Sequence, residues 1–282
     1  MEIKYGTIGF CSGVKRAVEL AKDVKNGELV YTLGPLVHNK LVVNELQGLG
    51  IEIKKLENVL KNDVIIITAH GVSSNVYEQL QEKQARIIDT TCQVVKELQD
   101  KADEIKTWLK YDGKMVIFGD ENHIEVENIV KNTGALIAPS NNYNLCYILK
   151  QTSKIGILAQ TTQDYKAFKD FIDTLTAKFN GAEIKVHDTL CKEVTARQKE
   201  AEHLREFCGV ILVVGDKTSA NTKRLYEIAS KCTNSYHIET VEDPILEQIV
   251  SKYADCVGIL SGTSTPKYVV NSILDKISKI NY

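Results

Sequence analysis

Residues 87–95 read "IIDTTCQVV", and residues 184–194 read "IKVHDTLCKEV". In both, an apolar run ends in Asp-Thr, a cysteine follows and a new pattern begins. A third cysteine, in "TIGFCSGV" at 7–14, stands at the same kind of junction. The residues after each cysteine decide the fold. After Cys92 the apolar positions are Val95, Leu98, Ala102, Ile105 and Leu109, a 3-4-3-4 stripe that marks one face of a helix. After Cys11 they are Val14, Val18, Ala21 and Val24, and after Cys191 a thinner stripe of Val194, Ala201 and Leu204. Each cysteine therefore opens a helix.

Each helix is followed by a strand that runs into a glycine and then polar residues: "LVYTLGPLVHN" (29–39), "KMVIFGDENHIE" (114–125) and "GVILVVGDKTSAN" (209–221). A further strand in each repeat ends in small polar residues: "VIIITAHGVS" (64–73), "IGILAQTTQ" (155–163) and "CVGILSGTSTP" (256–266). In the first two repeats a last strand leads into the next cysteine. Strands alternating with helices predict an α/β chain of three small modules with mostly parallel sheets, over 1–91, 92–190 and 191–282. Ligands of open parallel sheets collect at the C-terminal strand ends, beside helix N-termini. The polar tips and all three cysteines lie at such ends. A trefoil of the modules around a pseudo-threefold axis would bring the cysteines to one central cluster site.

The bulk numbers narrow the function classes. A chain of 282 residues that is 43% hydrophobic and 26% charged has room for two or three ordinary globular modules. A net charge of −2 gives no general attraction to nucleic acid or anionic membrane, so neither is expected as a partner. No apolar run reaches the length of a membrane span, and the N-terminus lacks the apolar core of a signal peptide. A cytoplasmic location is expected. There, seven cysteines are thiols or ligands rather than a disulfide framework.

Cys146, Cys208, Cys232 and Cys256 share no repeated context and read as small apolar fillers. Cys11, Cys92 and Cys191 differ, because a helix N-terminus favours a thiolate over a packed thiol. Structural zinc prefers four ligands in close cysteine pairs, and no such pair occurs. A catalytic zinc with three thiolates would be unusual. Three thiolates around an iron–sulfur cluster would leave one iron without a protein ligand, free to act as a Lewis acid. Spacing alone does not choose between these metals. The polar tips supply His38, Asn39, His70, Ser73, His123, Glu125, Thr161, Thr162, Ser219, Asn221, Thr263 and Ser264. Singly, such residues more often cap helices and turns. Gathered near several helix N-termini, they suit a phosphate or diphosphate.

The ordered motifs "GFCSGVKRA", "GPLVHN", "AHGVS", "DTTC", "HIEV", "AQTT", "DTLC…RQ", "KTSAN…RL" and "GTSTP" span nearly the whole chain. With them the chain resembles the IspH/LytB family of 4-hydroxy-3-methylbut-2-enyl diphosphate reductases, the last enzymes of the non-mevalonate isoprenoid pathway. The resemblance implies a trefoil of three α/β domains holding a [4Fe–4S] cluster through Cys11, Cys92 and Cys191, with one iron lacking a protein ligand. It implies an allylic diphosphate substrate contacted by His38, His70, His123, Ser219, Asn221 and Ser264, with Thr162 beside them. Glu125, Thr161 and His123 would form the catalytic, proton-delivering set. Ferredoxin or flavodoxin would supply electrons, and the allylic hydroxyl would be lost to give isopentenyl and dimethylallyl diphosphates. The chain departs from the family's usual pattern in four places. Ala220 stands for a serine, Val194 for a threonine and Gln93 for a proline, and "HIEV" replaces His-Pro-Glu-Val. None of these removes a ligand or the acid. Rival readings on the same centre are a non-catalytic iron–sulfur or redox-sensing protein and a zinc-dependent phosphate-ester hydrolase.

Overall fold

The computed structural model describes residues 2–25, 28–110, 113–139, 149, 152–231, 234–252 and 255–280. Cys146 and Cys232 lie outside them. Among the described residues twelve strands form three four-stranded sheets, and every pairing is parallel. The expected α/β class is borne out.

The first sheet has the order β3-β2-β4-β5, from Val30–Thr32 (β2), Ile51–Ile53 (β3), Val64–Ile67 (β4) and Arg86–Asp89 (β5). The second has the order β7-β6-β8-β9, from Gly113–Phe118 (β6), Leu136–Ala138 (β7), Lys154–Ala159 (β8) and Glu183–Val186 (β9). The third has the order β11-β10-β12-β1, from Val210–Val214 (β10), Asn234–Ile238 (β11), Cys256–Ser261 (β12) and Glu2–Tyr5 (β1). The order is one pattern used three times. The N-terminal strand completes the third sheet at the position held by β5 and β9 in the other two. Every cysteine of interest thus follows the same edge strand, Cys11 after β1 as Cys92 after β5 and Cys191 after β9.

The central strands were legible because both faces are covered: "VIII" of β4 and "VILVV" of β10 are buried at every position. The edge strands β3, β7 and β11 escape a reading for apolar runs. Only Ile51 of β3, Ala138 of β7 and Ile238 of β11 are fully buried.

The three expected post-cysteine helices are present as Ser12–Val24 (α1), Gln93–Leu109 (α4) and Lys192–Phe207 (α7). Between them lie Lys40–Gly48 (α2), Ser74–Glu82 (α3), Ile124–Thr133 (α5) and Tyr165–Lys178 (α6). After α7 come Ala220–Ala229 (α8), Ile245–Lys252 (α9) and Lys267–Ile280 (α10). No described helix is long and apolar enough to cross a membrane.

The chain forms two compact units. One comprises Met1–Arg16, Val37–Gly48 and Lys192–Tyr282 and contains the third sheet. The other comprises Ala17–Leu36 and Leu49–Cys191 and contains the first and second sheets. In the two-sheet unit, Leu98, Ala102, Ile105 and Leu109 of α4 pack on Met115, Ile117 and Leu158 of the second sheet. The approach is close enough that a Cβ at Gly156 would stand 2.2 Å from Ile105, so only glycine fits there. In the single-sheet unit, one face of the sheet is covered by Val269, Val270, Ile273 and Ile277. The other face is covered by Ala201, Leu204, Leu225 and Ile228. Cys208 belongs to that second layer, 2.9 Å from the sulfur of Cys256. Burial, and then the contact with Cys256, pushes its thiol up to about 12.

Candidate active site

The three cysteine junctions are built alike. The backbone N–H of each cysteine donates to a carbonyl two residues beyond the end of the adjoining strand: Cys11 to Thr263 at 3.0 Å, Cys92 to Ala69 at 3.0 Å and Cys191 to Thr161 at 2.9 Å. Cys92 is the N-cap of α4. Cys11 holds the same place before α1, where its sulfur accepts from the Val14 N–H at 3.4 Å. A sulfur set among helix N–H donors is stabilised as an anion, as a ligand thiolate must be.

The repeated Asp-Thr explains itself locally. Asp89 Oδ1 accepts from the Thr91 N–H at 2.9 Å, and Asp188 Oδ1 from the Leu190 N–H at 3.1 Å, each closing the turn before its cysteine. Burial pushes the Asp89 carboxyl up, but donors on Lys96 and Thr91 outweigh it and hold the group below its ordinary value. Thr90 and Thr189 donate from their hydroxyls to Ile67 O and Ala159 O, both at 2.6 Å.

Within the two-sheet unit these junctions meet the polar tips. Glu125 sits in the first turn of α5, 4% exposed. Its Oε2 accepts from the Thr161 N–H and its Oε1 from the Thr161 hydroxyl, both at 3.0 Å. The carbonyl of the same Thr161 takes the Cys191 N–H. A buried carboxyl is therefore one residue removed from a cysteine. His123 caps α5, its Nδ1 accepting from the Glu125 N–H at 3.3 Å. When neutral, this ring carries its proton on Nε2. His70 lies edge-to-face against it, with ring centroids 6.1 Å apart. Thr162 accepts from Gln160 Nε2 at 2.8 Å. The structure thus brings His70, His123, Glu125, Thr161 and Cys191 into one run of contacts.

The single-sheet unit holds the remaining residues. Ser219 is the N-cap of α8 and accepts from the Thr222 N–H at 3.3 Å, leaving its own proton for another acceptor. Asn221 is 2% exposed, and neither atom of its amide has a hydrogen-bond partner. A buried amide left so costs about 1–3 kcal/mol unless a ligand or a water completes it. The Ser264 hydroxyl donates to His38 O at 3.0 Å. Asp216 Oδ2 accepts from the Lys40 N–H at 2.7 Å, tying the tip after β10 to the start of α2. Burial raises this carboxyl, and donors on Thr218 and Lys40 outweigh it, keeping it below its ordinary value. Ser219, Asn221, Ser264, His38 and Cys11 therefore share one unit. Among the described residues no three His, Cys, Asp or Glu side chains stand together in metal-ligating geometry. Each unit alone offers at most two of the three cysteines.

The family model described as LytB protein matches residues 3–278. The chain belongs to the LytB family. Among curated LytB relatives, a Geotalea uraniireducens protein named 4-hydroxy-3-methylbut-2-enyl diphosphate reductase is 36% identical over 97% of this chain and 95% of its own length. A Caldanaerobacter subterraneus protein of the same name is 36% identical over 96% of this chain and 94% of its own length. The solved Plasmodium falciparum E-1-hydroxy-2-methyl-but-2-enyl-4-diphosphate reductase superposes with a TM-score of 0.89 at 24% identity. It covers 100% of this chain and 90% of that one, and shows the LytB fold. A solved (E)-4-hydroxy-3-methyl-but-2-enyl diphosphate reductase, titled the terminal enzyme of the non-mevalonate pathway, is 32% identical. Its TM-score is 0.69 over 99% of this chain and 100% of that one.

Of the departures from the usual LytB pattern, Ala220 opens α8 half-buried and Val194 is buried in α7. Gln93 opens α4, where a proline would lose no helical hydrogen bond. Sequence reasoning gave no role to three residues that support these side chains, although two of them stand in the quoted motifs "AQTT" and "DTLC…RQ". Gln160 is buried and fixes both Thr162 and the Asp120 N–H, the latter at 2.9 Å. Asn128 donates to Gly71 O at 3.3 Å, steadying the loop that carries His70. Arg197, 2% exposed, donates to Ser261 O and Gly9 O, both at 2.7 Å. An arginine inside a helical stripe was the available signal for the last.

Proposed function

We propose that this chain is a 4-hydroxy-3-methylbut-2-enyl diphosphate reductase. It removes the allylic hydroxyl with two electrons and two protons, releasing water and giving isopentenyl and dimethylallyl diphosphates. In this reading Cys11, Cys92 and Cys191 hold a [4Fe–4S] cluster with one iron lacking a protein ligand. The division into modules 1–91, 92–190 and 191–282 follows the repeat along the sequence, with β1 at the N-terminus completing the sheet of the third module. Ferredoxin or flavodoxin supplies the electrons in the cytoplasm.

The observation that carries the reading is the hydrogen-bonded run Glu125–Thr161–Cys191. It sets a buried carboxyl one residue from a proposed iron ligand. The residues fit such a group. Three equivalent helix-start cysteines are soft ligands of the kind iron–sulfur clusters take, and the unsatisfied Asn221 amide with the free Ser219 proton suits a phosphate oxygen. When bound, the cluster would supply the electrons and a Lewis-acidic iron. Glu125 gives its proton to the departing hydroxyl oxygen, which leaves as water. Thr161 holds the carboxyl in place with two donors and can relay a replacement proton through its hydroxyl. His70 and His123 in one unit, and His38, Ser219, Asn221 and Ser264 in the other, bind and orient the diphosphate.

Metal and sulfide analysis of anaerobically purified protein tests the reading. Iron and sulfide in about equal amounts support it, whereas stoichiometric zinc points to a hydrolase instead. Cys11→Ser, Cys92→Ser and Cys191→Ser should each strip the iron, because a hydroxyl is a poor substitute for a soft thiolate. Cys146→Ser and Cys232→Ser should retain it. Equal iron loss in all five variants would overturn the ligand assignment.

A further inference from the structure

Two of the three cysteine junctions share a fastening that the third lacks. Thr90 and Thr189, each two residues before its cysteine, turn their hydroxyls back onto the last residue of the neighbouring strand. The residue two before Cys11 is Gly9, which has no side chain to do so. Its φ is +91°, and a Cβ there would press within 3.3 Å of Lys267, so no threonine fits. The last residue of the cognate strand is Ser261.

A different group makes the connection. Arg197 Nη1 donates to Ser261 O at 2.7 Å and Nη2 donates to Gly9 O at 2.7 Å. Nη1 also reaches the Ser261 hydroxyl at 3.3 Å, and that hydroxyl accepts from the Gly9 N–H at 3.1 Å. One planar guanidinium thus bridges the cysteine loop and the strand end, as the threonine hydroxyl does elsewhere. Two neighbours on α7 extend the hold. Glu193 accepts from the Ser12 N–H at 3.2 Å and from its hydroxyl. Glu200 accepts from the Thr7 N–H and hydroxyl, both at 2.7 Å. Positions 193, 197 and 200 line one face of a helix, and together they grip residues 7–12. At the cognate positions of α4 stand Val94, Leu98 and Lys101. The grip is specific to Cys11.

We infer that Arg197 is a positioning residue for Cys11, replacing at this junction the threonine that fixes Cys92 and Cys191. Its importance to turnover rests on the proposed iron ligation by Cys11, but the positioning is measurable without iron. Charge-assisted bonds from a rigid fork hold two carbonyls at a set separation, which a lysine's point charge does not.

The test uses the full chain, cluster-free and reduced, alkylated with iodoacetamide and mapped by peptide mass. Buried, high-pKa Cys208 serves as the unreactive reference. Arg197→Met should raise alkylation at Cys11 about tenfold through local opening, with Cys92 and Cys191 unchanged. Arg197→Lys should give part of that rise. Ser261→Ala, a milder change, should give a smaller rise at Cys11 alone, and decides the matter should Arg197→Met not fold. Thr90→Val should do the reverse, freeing Cys92 and leaving Cys11 protected. No rise at Cys11, or a parallel rise at all three cysteines, would overturn the inference. Iron and sulfide analysis of the parent protein is a separate arm. Selective exposure of Cys11 in the Arg197 variants, together with a parent that binds no iron, would sink the cluster assignment and leave the positioning intact.

Discussion

The helices that follow Cys92 and Cys191 start at cognate positions and bury their inner faces by opposite means. α4 buries Val95, Leu98, Ala102, Ile105 and Leu109. α7 buries Val194, Arg197, Gln198, Ala201 and Leu204. Leu98 and Arg197 occupy the same place, six residues beyond their cysteines. Leu98 is held by exclusion from water and close packing, in a layer completed by Met115, Ile117 and Leu158. Arg197 is held by carbonyl oxygens of the loop before Cys11 and of the strand end beside it. The thin stripe of α7 is therefore no sign of a weak helix. It marks where a buried face has been given to holding a junction instead of filling a core.

The largest break in that contrast exchanges the two residues in one direction. Leu98→Arg would bury a guanidinium without fitted acceptors, and an uncompensated buried charge costs about 3–5 kcal/mol. Urea unfolding should show the loss, if the variant folds at all. A variant as stable as the parent would mean that α4 has polar acceptors within reach, and the two helices would no longer differ in kind.

The next break separates polar burial for chemistry from polar burial for structure. Glu125→Gln keeps the shape and the hydroxyl contact with Thr161 but removes the proton. Turnover should fall about 10²–10⁴-fold with the substrate dissociation constant little changed. Near-parental turnover would make Glu125 another positioning residue, like Arg197.

A smaller effect sharpens the comparison of junctions. The Thr189 hydroxyl both accepts from the Ala159 N–H at 2.9 Å and donates to Ala159 O. Thr189→Val should lower unfolding free energy by about 1–3 kcal/mol, since two buried groups lose a partner. No measurable change would show that water replaces the hydroxyl and that this fastening is dispensable.

The smallest expected effect concerns Ala220, next to the Ser219 cap. Ala220→Ser would add a donor at the start of α8, where an anion is favoured. The substrate dissociation constant or KM should fall several-fold, by less than the 1.5–3 kcal/mol, roughly, of a full charged hydrogen bond. An unchanged or weaker affinity with iron content intact would mean that position 220 does not face the diphosphate.

Much of this molecule was legible in the chain because its signals are local. Three cysteines open three helices because a polar turn, a cap and a 3.6-residue stripe each act within a few residues, and the central strands announce themselves by apolar runs covered on both faces. The edge strands β3, β7 and β11 carried no comparable signal. β1 shows the limit most clearly: four half-polar residues at the N-terminus pair with Cys256–Ile259 at the other end of the chain, and no local pattern encodes that partner. The same holds in the site. Glu125, Thr161 and the cysteines could be singled out by residue type and place at strand ends. That Thr161 gives both donors to Glu125 and its carbonyl to Cys191, and that Arg197 ties Gly9 to Ser261, depends on atoms from segments far apart in sequence. Caps, turns and periodicity are properties of neighbours along the chain. Hydrogen bonds that close a site between distant segments exist only once the sheets have paired and the helices have packed on them.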